Sequence, residues 1–293
     1  MQPPEVVAHR GASEDVAEHT LAAYEKAIAD GAGALECDVR LTVDGHLVCV
    51  HDRRINRTSD GRGVVSTKTL ADLYNQDFAS WKQSDGLEGD ALDSEGTDDS
   101  RRRVLTLERL LQLVVDCGRE VGLAIEAKHP TRYAGQVEDS LAKSLRRFGV
   151  DRPPSREASR VRVMSFSQLS VRRMRVLSPR VPTVFLMERV PIRFRDGSLP
   201  FDAAIAGPSM DIVRAHPDYV AKAHGAGHPV HVWTVDEPAD VKLCQELGVD
   251  AIITNRPRQV RDQLLTTLGQ ELMAVRQNIT ATQPPAWTRI SGH

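Results

Sequence analysis

Short apolar runs rich in β-branched residues alternate with amphipathic stretches along most of this 293-residue chain. The runs with strand character fall near residues 6–9, 34–40, 122–127, 161–165, 182–187, 202–206, 229–234 and 250–254. Because parallel strands need a crossover between them, and a helix usually supplies it, this alternation predicts a parallel α/β protein. Eight strands separated by crossovers is the count of a TIM (β/α)8 barrel.

Helical patterns fill most of the intervals between these runs. The first pattern has one apolar stripe and ends at Gly31, a typical residue just beyond a helix. Between the fifth and sixth strands, Pro191 and Asp196-Gly197 predict an irregular connection instead. The predicted helices span residues 19–31, 105–117, 133–148, 167–178, 215–226, 237–247 and 256–268.

A long segment after the second predicted strand interrupts the β/α pattern. Thr42-Val43-Asp44-Gly45 predicts a turn, and residues 46–51 then return as an apolar ribbon, so a hairpin is expected. Residues 53–104 are too many for an ordinary βα loop and predict a small insertion subdomain above the barrel mouth. We therefore divide the chain into a single barrel domain, residues 1–270, and a C-terminal tail, residues 271–293.

Composition and charge restrict the partners and the compartment. A net charge of −2 disfavours nucleic acid as a partner, because such proteins usually carry a basic surface. The four cysteines lack metal-ligand spacing and are predicted as reduced core residues: Cys37, Cys49, Cys117 and Cys244. The chain shows neither a signal-peptide pattern nor an apolar run long enough to span a membrane. We expect a cytoplasmic protein without a transmembrane segment, and the sequence leaves the oligomeric state open.

Acidic side chains lie near the ends of two predicted strands. Glu36 and Asp38 are two residues apart, so both carboxylates point to the same face of their strand. Glu126 ends another strand, and the carboxyl ends of parallel barrel strands meet at one rim. Carboxylates held side by side repel each other, and a divalent cation relieves that repulsion. Oxygen ligands without cysteine favour Mg²⁺ or Ca²⁺ over zinc.

Two histidines and two cations accompany these acids. His9-Arg10 ends the first predicted strand, His51 ends the hairpin ribbon, and Lys128 follows Glu126. The surplus positive charge suits a phosphate, and two histidines can act as acid and base near neutral pH. The residues alone therefore predict metal-assisted chemistry on a phosphoryl ester. They leave open which histidine is the acid, and whether water or a substrate hydroxyl attacks.

The order of these motifs resembles that of the bacterial type of the glycerophosphodiester phosphodiesterase family. The resemblance rests on His9-Arg10-Gly11, Glu18-His19-Thr20-Leu21-Ala22-Ala23-Tyr24, Glu36-Cys37-Asp38-Val39, Thr42-Val43-Asp44-Gly45, His51-Asp52, Arg57-Thr58, Glu126-Ala127-Lys128 and Val232-Trp233-Thr234-Val235-Asp236. It extends from about Val6 to about Pro257. It implies a barrel enzyme that hydrolyses small-molecule glycerophosphodiesters to glycerol 3-phosphate and an alcohol.

The resemblance also implies roles for individual residues. By position it implies catalytic histidines at His9 and His51, ligands of a divalent cation (Ca²⁺ or Mg²⁺) at Glu36, Asp38 and Glu126, and phosphate contacts at Arg10 and Lys128. Trp233 matches the family's late tryptophan. Its place at a strand tip favours stacking on the glycerol or the headgroup, with plain packing as the alternative.

The chain departs from the family pattern at one place. It has Ala17-Glu18-His19-Thr20 where the family often has Pro-Glu-Asn-Thr. We expect His19 to be a cap or surface residue rather than a third catalytic histidine.

Three other functions fit parts of the pattern. A lysophospholipase D on the same barrel would need an apolar entrance, whereas residues 84–100 carry seven acids and no basic residue. A non-catalytic barrel that binds a phosphorylated ligand would not need an acid–base pair. A metal-dependent amide hydrolase would be expected to carry a His-x-His strand motif, which the chain lacks.

Overall fold

Strands and helices alternate in the computed structural model, which describes residues 3–85, 99–133 and 135–281. The strands are β1 (Glu5–His9), β2 (Ala34–Leu41), β3 (Leu47–Cys49), β4 (Gly122–Ala127), β5 (Val161–Ser165), β6 (Thr183–Met187), β7 (Ile205–Pro208), β8 (His231–Val232) and β9 (Ala251–Thr254). Nearly every strand residue is buried, as expected for parallel strands that are covered on both faces.

Eight of these strands form a parallel sheet in the order β7-β6-β5-β4-β2-β1-β9-β8. The two ends of this order meet through isolated parallel bridges, Ala206 to Val230 and Ser209 to Trp233. The sheet is therefore a nearly closed barrel, and the predicted TIM barrel is confirmed. The strand predicted at 202–206 lies slightly later, at β7, because a 3₁₀ turn occupies Pro200–Asp202.

The helices are α1 (Leu21–Ala29), α2 (Leu70–Tyr74), α3 (Leu107–Asp116), α4 (Gln136–Arg147), α5 (Gln168–Leu177), α6 (Met210–Ala215), α7 (Asp218–Gly225), α8 (Pro238–Glu246) and α9 (Pro257–Ala281). The irregular connection predicted after the fifth barrel strand is confirmed by two 3₁₀ turns, Ile192–Phe194 and Pro200–Asp202. Among the described residues, no helix combines the length and the apolar character that crossing a membrane requires.

Two predicted helices differ from the structure in extent. The helix predicted at 215–226 corresponds to α7 but starts too early, because α7 begins at Asp218, and the sequence analysis missed α6, which ends at Ala215. Pro217 has no amide hydrogen and disfavours helical backbone at His216, so the chain breaks there. The last helix continues to Ala281, past its predicted end at 268, and thus crosses the predicted division at residue 270.

The two faces of β2 show how the fold positions its acidic residues. Leu35 and Cys37 pack outward in a core shared with the surrounding helices. Ala34, on the opposite face, belongs to an apolar cluster contributed by most of the barrel strands, which is the barrel interior. Glu36 and Asp38 share this inward face, so strand alternation directs both carboxylates into the upper barrel.

The hairpin predicted after β2 is also confirmed. β3 pairs antiparallel with β2, with Leu47 opposite Leu41. The segment from β3 to α3 contains α2 and short 3₁₀ turns. These surround a small apolar cluster of their own: Val48, Val50, Ile55, Val65, Leu73, Phe78 and Val104. Most of the acidic stretch 84–100, namely residues 86–98, lies outside the described residues.

Candidate active site

The carboxyl ends of the barrel strands bring all the residues predicted for the site to one rim. A cavity of about 160 Å³ is lined there by His9, Arg10, Glu36, His51, Glu126, Lys128 and Trp233. Asp38 lies beneath them and is only 1% exposed. The sequence analysis missed Phe166 and Glu188, which line the same cavity. Each directly follows a barrel strand, and that position is the signal that could have found them.

Three carboxylates converge at this cavity, and two of them line it. Glu36 and Asp38 lie on β2, and the register with β4 places Asp38 beside Glu126. Each residue offers an oxygen, and these oxygens all lie within 4.8 Å of one another. All three side chains are buried. A set of converging carboxylate oxygens is the donor type that hard divalent cations prefer.

Burial and mutual repulsion separate the pKa values of these acids. Burial, followed by the charge of Asp38, raises the pKa of Glu36 well above its ordinary value. The same two causes raise the pKa of Glu126 to about 8, although Lys128 Nζ lies 3.0 Å from its Oε1. Burial also opposes ionisation of Asp38, but the His19 hydrogen bond and the Lys128 charge bring its pKa well below the ordinary range. Among the three acids, Asp38 is therefore the one whose surroundings favour the ionised form, whereas burial and repulsion oppose ionisation of Glu36 and Glu126.

The His-Arg-Gly turn after β1 fits tightly between β2 and α1. Arg10 and Gly11 both have left-handed backbone, with φ of 56° and 86°. A side chain at Gly11 would meet the backbone of Ala23 at 2.7 Å, so only glycine fits. The turn directs the Arg10 amide at Glu36, where it donates to Oε2 at 3.0 Å and to the carbonyl oxygen at 3.1 Å.

The two cations of the site lie close to the acids. Arg10 Nη1 donates to Glu18 Oε1 at 3.0 Å, and Arg10 Nε lies 3.2 Å from Asp38 Oδ2. Lys128 Nζ lies 3.3 Å from Asp38 Oδ1, in addition to its contact with Glu126. Both cations also line the cavity, where they can contact an anionic group.

Hydrogen bonding fixes the tautomer of His9. Asn255 donates from its amide nitrogen to Asp236 Oδ2 at 2.6 Å, which turns its Oδ1 toward His9. His9 Nδ1 lies 2.7 Å from that oxygen and therefore carries the proton, which leaves Nε2 free. Burial and the charge of Arg10 lower the pKa of His9 to about 4, so the ring is neutral at pH 7.

His51 is held differently, by a carboxylate. Its Nδ1 donates to Asp52 Oδ1 at 2.7 Å, and Asp52 Oδ2 accepts from Arg57 Nε at 2.8 Å. Arg57 also donates twice to Glu18, each time at 2.8 Å, and Glu18 accepts from Arg10. Burial lowers the pKa of His51, while the Asp52 hydrogen bond opposes that shift. A continuous polar chain thus connects His51 to Arg10.

Trp233 and Phe166 form an aromatic wall of the cavity. The rings meet edge to face, with centroids 5.3 Å apart and an interplanar angle of 88°. Trp233 Nε1 donates to the carbonyl oxygen of Gly207 at 2.8 Å, which fixes the indole. The wall therefore offers a rigid apolar surface beside the charged groups.

The expectation that His19 is a cap or surface residue is wrong. His19 is only 5% exposed, and Thr20 caps α1 by accepting from the amide of Ala23. Its backbone is left-handed, with φ of 62°, which turns the ring inward. Nε2 then lies 3.0 Å from Asp38 Oδ2. The contact joins the turn before α1 to β2, and no sequence pattern indicated it.

Sequence comparison decides the family. A profile of the glycerophosphoryl diester phosphodiesterase family matches residues 9–259. The chain belongs to this family. It is accordingly an enzyme of the phosphoric diester hydrolase class, and the resemblance inferred from the motifs is confirmed.

Individual relatives of the family agree with this membership. The probable glycerophosphodiester phosphodiesterase 1 of Mycobacterium tuberculosis (strain H37Rv) is 44% identical over 261 residues, covering 88% of this chain and 91% of that protein. The glycerophosphodiester phosphodiesterase of Bacillus subtilis (strain 168) is 34% identical over 260 residues, covering 86% and 83%. A solved phosphodiesterase of Oleispira antarctica, in complex with the product sn-glycerol-3-phosphate, has the same fold, with a TM-score of 0.73 at 23% identity over 89% of this chain and 97% of that one.

The raised pKa of Glu126 predicts that a cation binding to this carboxylate would release a proton. A cation bound by Glu126 has to displace the proton that this residue holds below about pH 8. We expect affinity for Mg²⁺ to rise with pH up to that value, by about tenfold per pH unit for each proton released, and then to level off. Calorimetry in buffers of different ionisation enthalpy counts the protons. Affinity that does not change with pH, with no proton released, would contradict this expectation.

Proposed function

We propose that this protein is a divalent-cation-dependent glycerophosphodiester phosphodiesterase that releases glycerol 3-phosphate and an alcohol. The observation that carries the proposal is a pair of histidines with fixed Nδ1 partners, which share one cavity with three converging carboxylates. The same product, sn-glycerol-3-phosphate, is bound to the structurally similar Oleispira antarctica phosphodiesterase.

The proposed cation ligands are Glu36, Asp38 and Glu126. Their donor set supports a hard cation, Mg²⁺ or Ca²⁺, because all three contribute carboxylate oxygens and no cysteine or histidine is among them. When bound, the cation would offset the negative charge that develops on the phosphoryl oxygens. Arg10 and Lys128 would hold the phosphate from the cavity side, because both line it with positive charge.

The partners of the two histidines support different roles for them. His9 is paired with the neutral amide of Asn255 and is itself neutral, so its free Nε2 can accept the proton of the attacking hydroxyl. His51 is paired with the carboxylate of Asp52, whose hydrogen bond opposes the lowering of the His51 pKa by burial and so supports protonation of this ring during the reaction. His51 Nε2–H would then donate to the leaving oxygen as the phosphorus–oxygen bond breaks. The attacking hydroxyl is that of water or of the substrate's own glycerol.

The aromatic wall of Trp233 and Phe166 is evidence that the substrate places an organic group beside its phosphate. A rigid apolar face next to charged side chains suits the carbon atoms of glycerol or of the headgroup. We propose Trp233 as a substrate contact on this ground, and Phe166 as its partner.

Loss of one carboxylate tests the metal dependence. Glu126→Gln keeps the shape of the side chain and removes its charge, so cation affinity should fall by at least about 10–100-fold, the range for lost outer-shell partners. Turnover of glycerophosphocholine should fall with it. Glu120→Gln is the matched control, because Glu120 is exposed just before the opposite end of β4. Full activity of Glu126→Gln after exhaustive chelation would refute the metal hypothesis.

Removal of either histidine tests the acid–base pair. His9→Ala and His51→Ala should each lose about 10²–10⁴-fold in turnover of glycerophosphocholine while remaining folded. A double variant no worse than the single ones would indicate a shared task. His46→Ala serves as the control, because His46 is half exposed in the hairpin turn. A single variant with full activity would remove that histidine from the mechanism.

A substrate with a good leaving group separates the acid from the base. Nitrophenolate leaves without protonation, so the ester of glycerol phosphate with p-nitrophenol does not need a general acid. His51→Ala should therefore retain most of its turnover on this ester, whereas His9→Ala should be impaired on both substrates. Steady-state rates for the four combinations measure this. The opposite pattern, with rescue of His9→Ala alone, would exchange the two roles.

A further inference from the structure

His19 is a buried polar side chain that the proposed reaction leaves without a task. It is 5% exposed and contacts one member of the carboxylate cluster, Asp38. Nε2 lies 3.0 Å from Asp38 Oδ2, and Nδ1 lies 2.8 Å from the hydroxyl of Tyr24. The ring is therefore held at both nitrogens.

Tyr24 connects His19 to the backbone of β2. Tyr24 is fully buried on α1, and its hydroxyl donates to the carbonyl oxygen of Glu36 at 3.1 Å. The imidazole thus contacts the side chain of Asp38 directly and is connected to the backbone of Glu36 through the Tyr24 hydroxyl. Movement of the ring would disturb two of the three carboxylate positions at once, which suits a positioning role.

The two oxygens of Asp38 have different surroundings. Oδ2 accepts the hydrogen bond from His19, and the nearby Arg10 Nε lies 3.2 Å away without hydrogen-bond alignment. Oδ1 lies on the side of Lys128, 3.3 Å from Nζ, and Lys128 lines the cavity. Within the described residues, His19 is therefore the one hydrogen-bond donor that occupies Oδ2.

We propose that His19 is a positioning residue that restricts Asp38 to binding the cation through Oδ1 alone, and thereby favours Mg²⁺ over Ca²⁺. This inference rests on the proposed metal dependence. Mg²⁺ requires near-octahedral geometry with single oxygens, whereas Ca²⁺ accepts bidentate carboxylates and more ligands. The hydrogen bond from His19 competes with a cation for Oδ2 and therefore disfavours the bidentate mode. This chain has His19 at the position where the family often has asparagine, in the pattern Pro-Glu-Asn-Thr.

Two amide substitutions separate the two contacts of the ring. A glutamine amide reaches the position of histidine Nε2, whereas an asparagine amide occupies that of Nδ1. His19→Gln therefore keeps a donor for Asp38, and His19→Asn keeps only the contact with Tyr24. His19→Leu removes both polar contacts and fills the space, so it provides a second loss variant.

The measurement is the ratio of the Mg²⁺ and Ca²⁺ dissociation constants, obtained by calorimetry on the metal-free protein. Both cations carry the same charge, so a change in the charge of the site affects them alike, and the ratio reports coordination. We expect His19→Asn and His19→Leu to shift the ratio toward Ca²⁺ by about tenfold or more, and His19→Gln to stay near the wild type. Thermal melting checks that each variant is folded.

Two outcomes would overturn this inference while leaving the proposed metal dependence intact. One is an unchanged ratio in a folded loss variant, and the other is a crystal structure of the wild type with Mn²⁺ bound to Asp38 Oδ2. A wild-type protein that binds neither Mg²⁺ nor Ca²⁺ would instead overturn the proposed metal dependence, and this inference with it.

Discussion

Three carboxyl groups crowded into one buried volume are the constraint on which the rest of this site depends. Strand alternation directs Glu36 and Asp38 into the barrel, and the β2–β4 register adds Glu126. Unpaired charge at such a place is costly, so Arg10 and Lys128 pair with Asp38, and the pKa values of Glu36 and Glu126 are raised. Close approach of the three carboxylates makes their full ionisation unfavourable, and the same close approach makes the cluster a suitable site for a cation. Electrostatic strain and function therefore have one origin.

Partners that do not line the cavity hold the groups that do. Asn255 orients His9, and Asp52 orients His51. Each partner is fixed in turn, Asn255 by Asp236 and Asp52 by Arg57. The two rings differ in their partners: burial lowers the pKa of both, to about 4 for His9 beside an amide, whereas the Asp52 carboxylate opposes the lowering at His51. A barrel readily brings such partners next to the histidines, because the ends of distant strands and their loops meet at one rim.

The fold was largely predictable because its signals are local. Parallel strands covered on both faces leave continuous apolar runs, and the crossovers between them leave helical periodicity. The prediction was wrong where local signals were ambiguous. The break between α6 and α7 depends on a single proline, and the last helix continues through a polar segment that resembles a tail. His19 was misjudged because Thr20, its neighbour, is the true cap and a left-handed backbone at His19 turns the ring inward.

The sequence by itself indicated most of the residues that gather at the rim, because most of them end or follow a predicted barrel strand and parallel strands end on the same side. Only the tertiary structure decided how they are paired. His9 meets Asn255 across 246 residues of chain, and His19 meets Asp38 through a turn that no periodicity encodes. Strands and their ends can be predicted from the sequence, because apolar runs and the polar residues that end them are local patterns. Hydrogen-bond partners and the tautomers they impose depend on distances between segments that are remote in sequence, and those distances exist only once the barrel has closed.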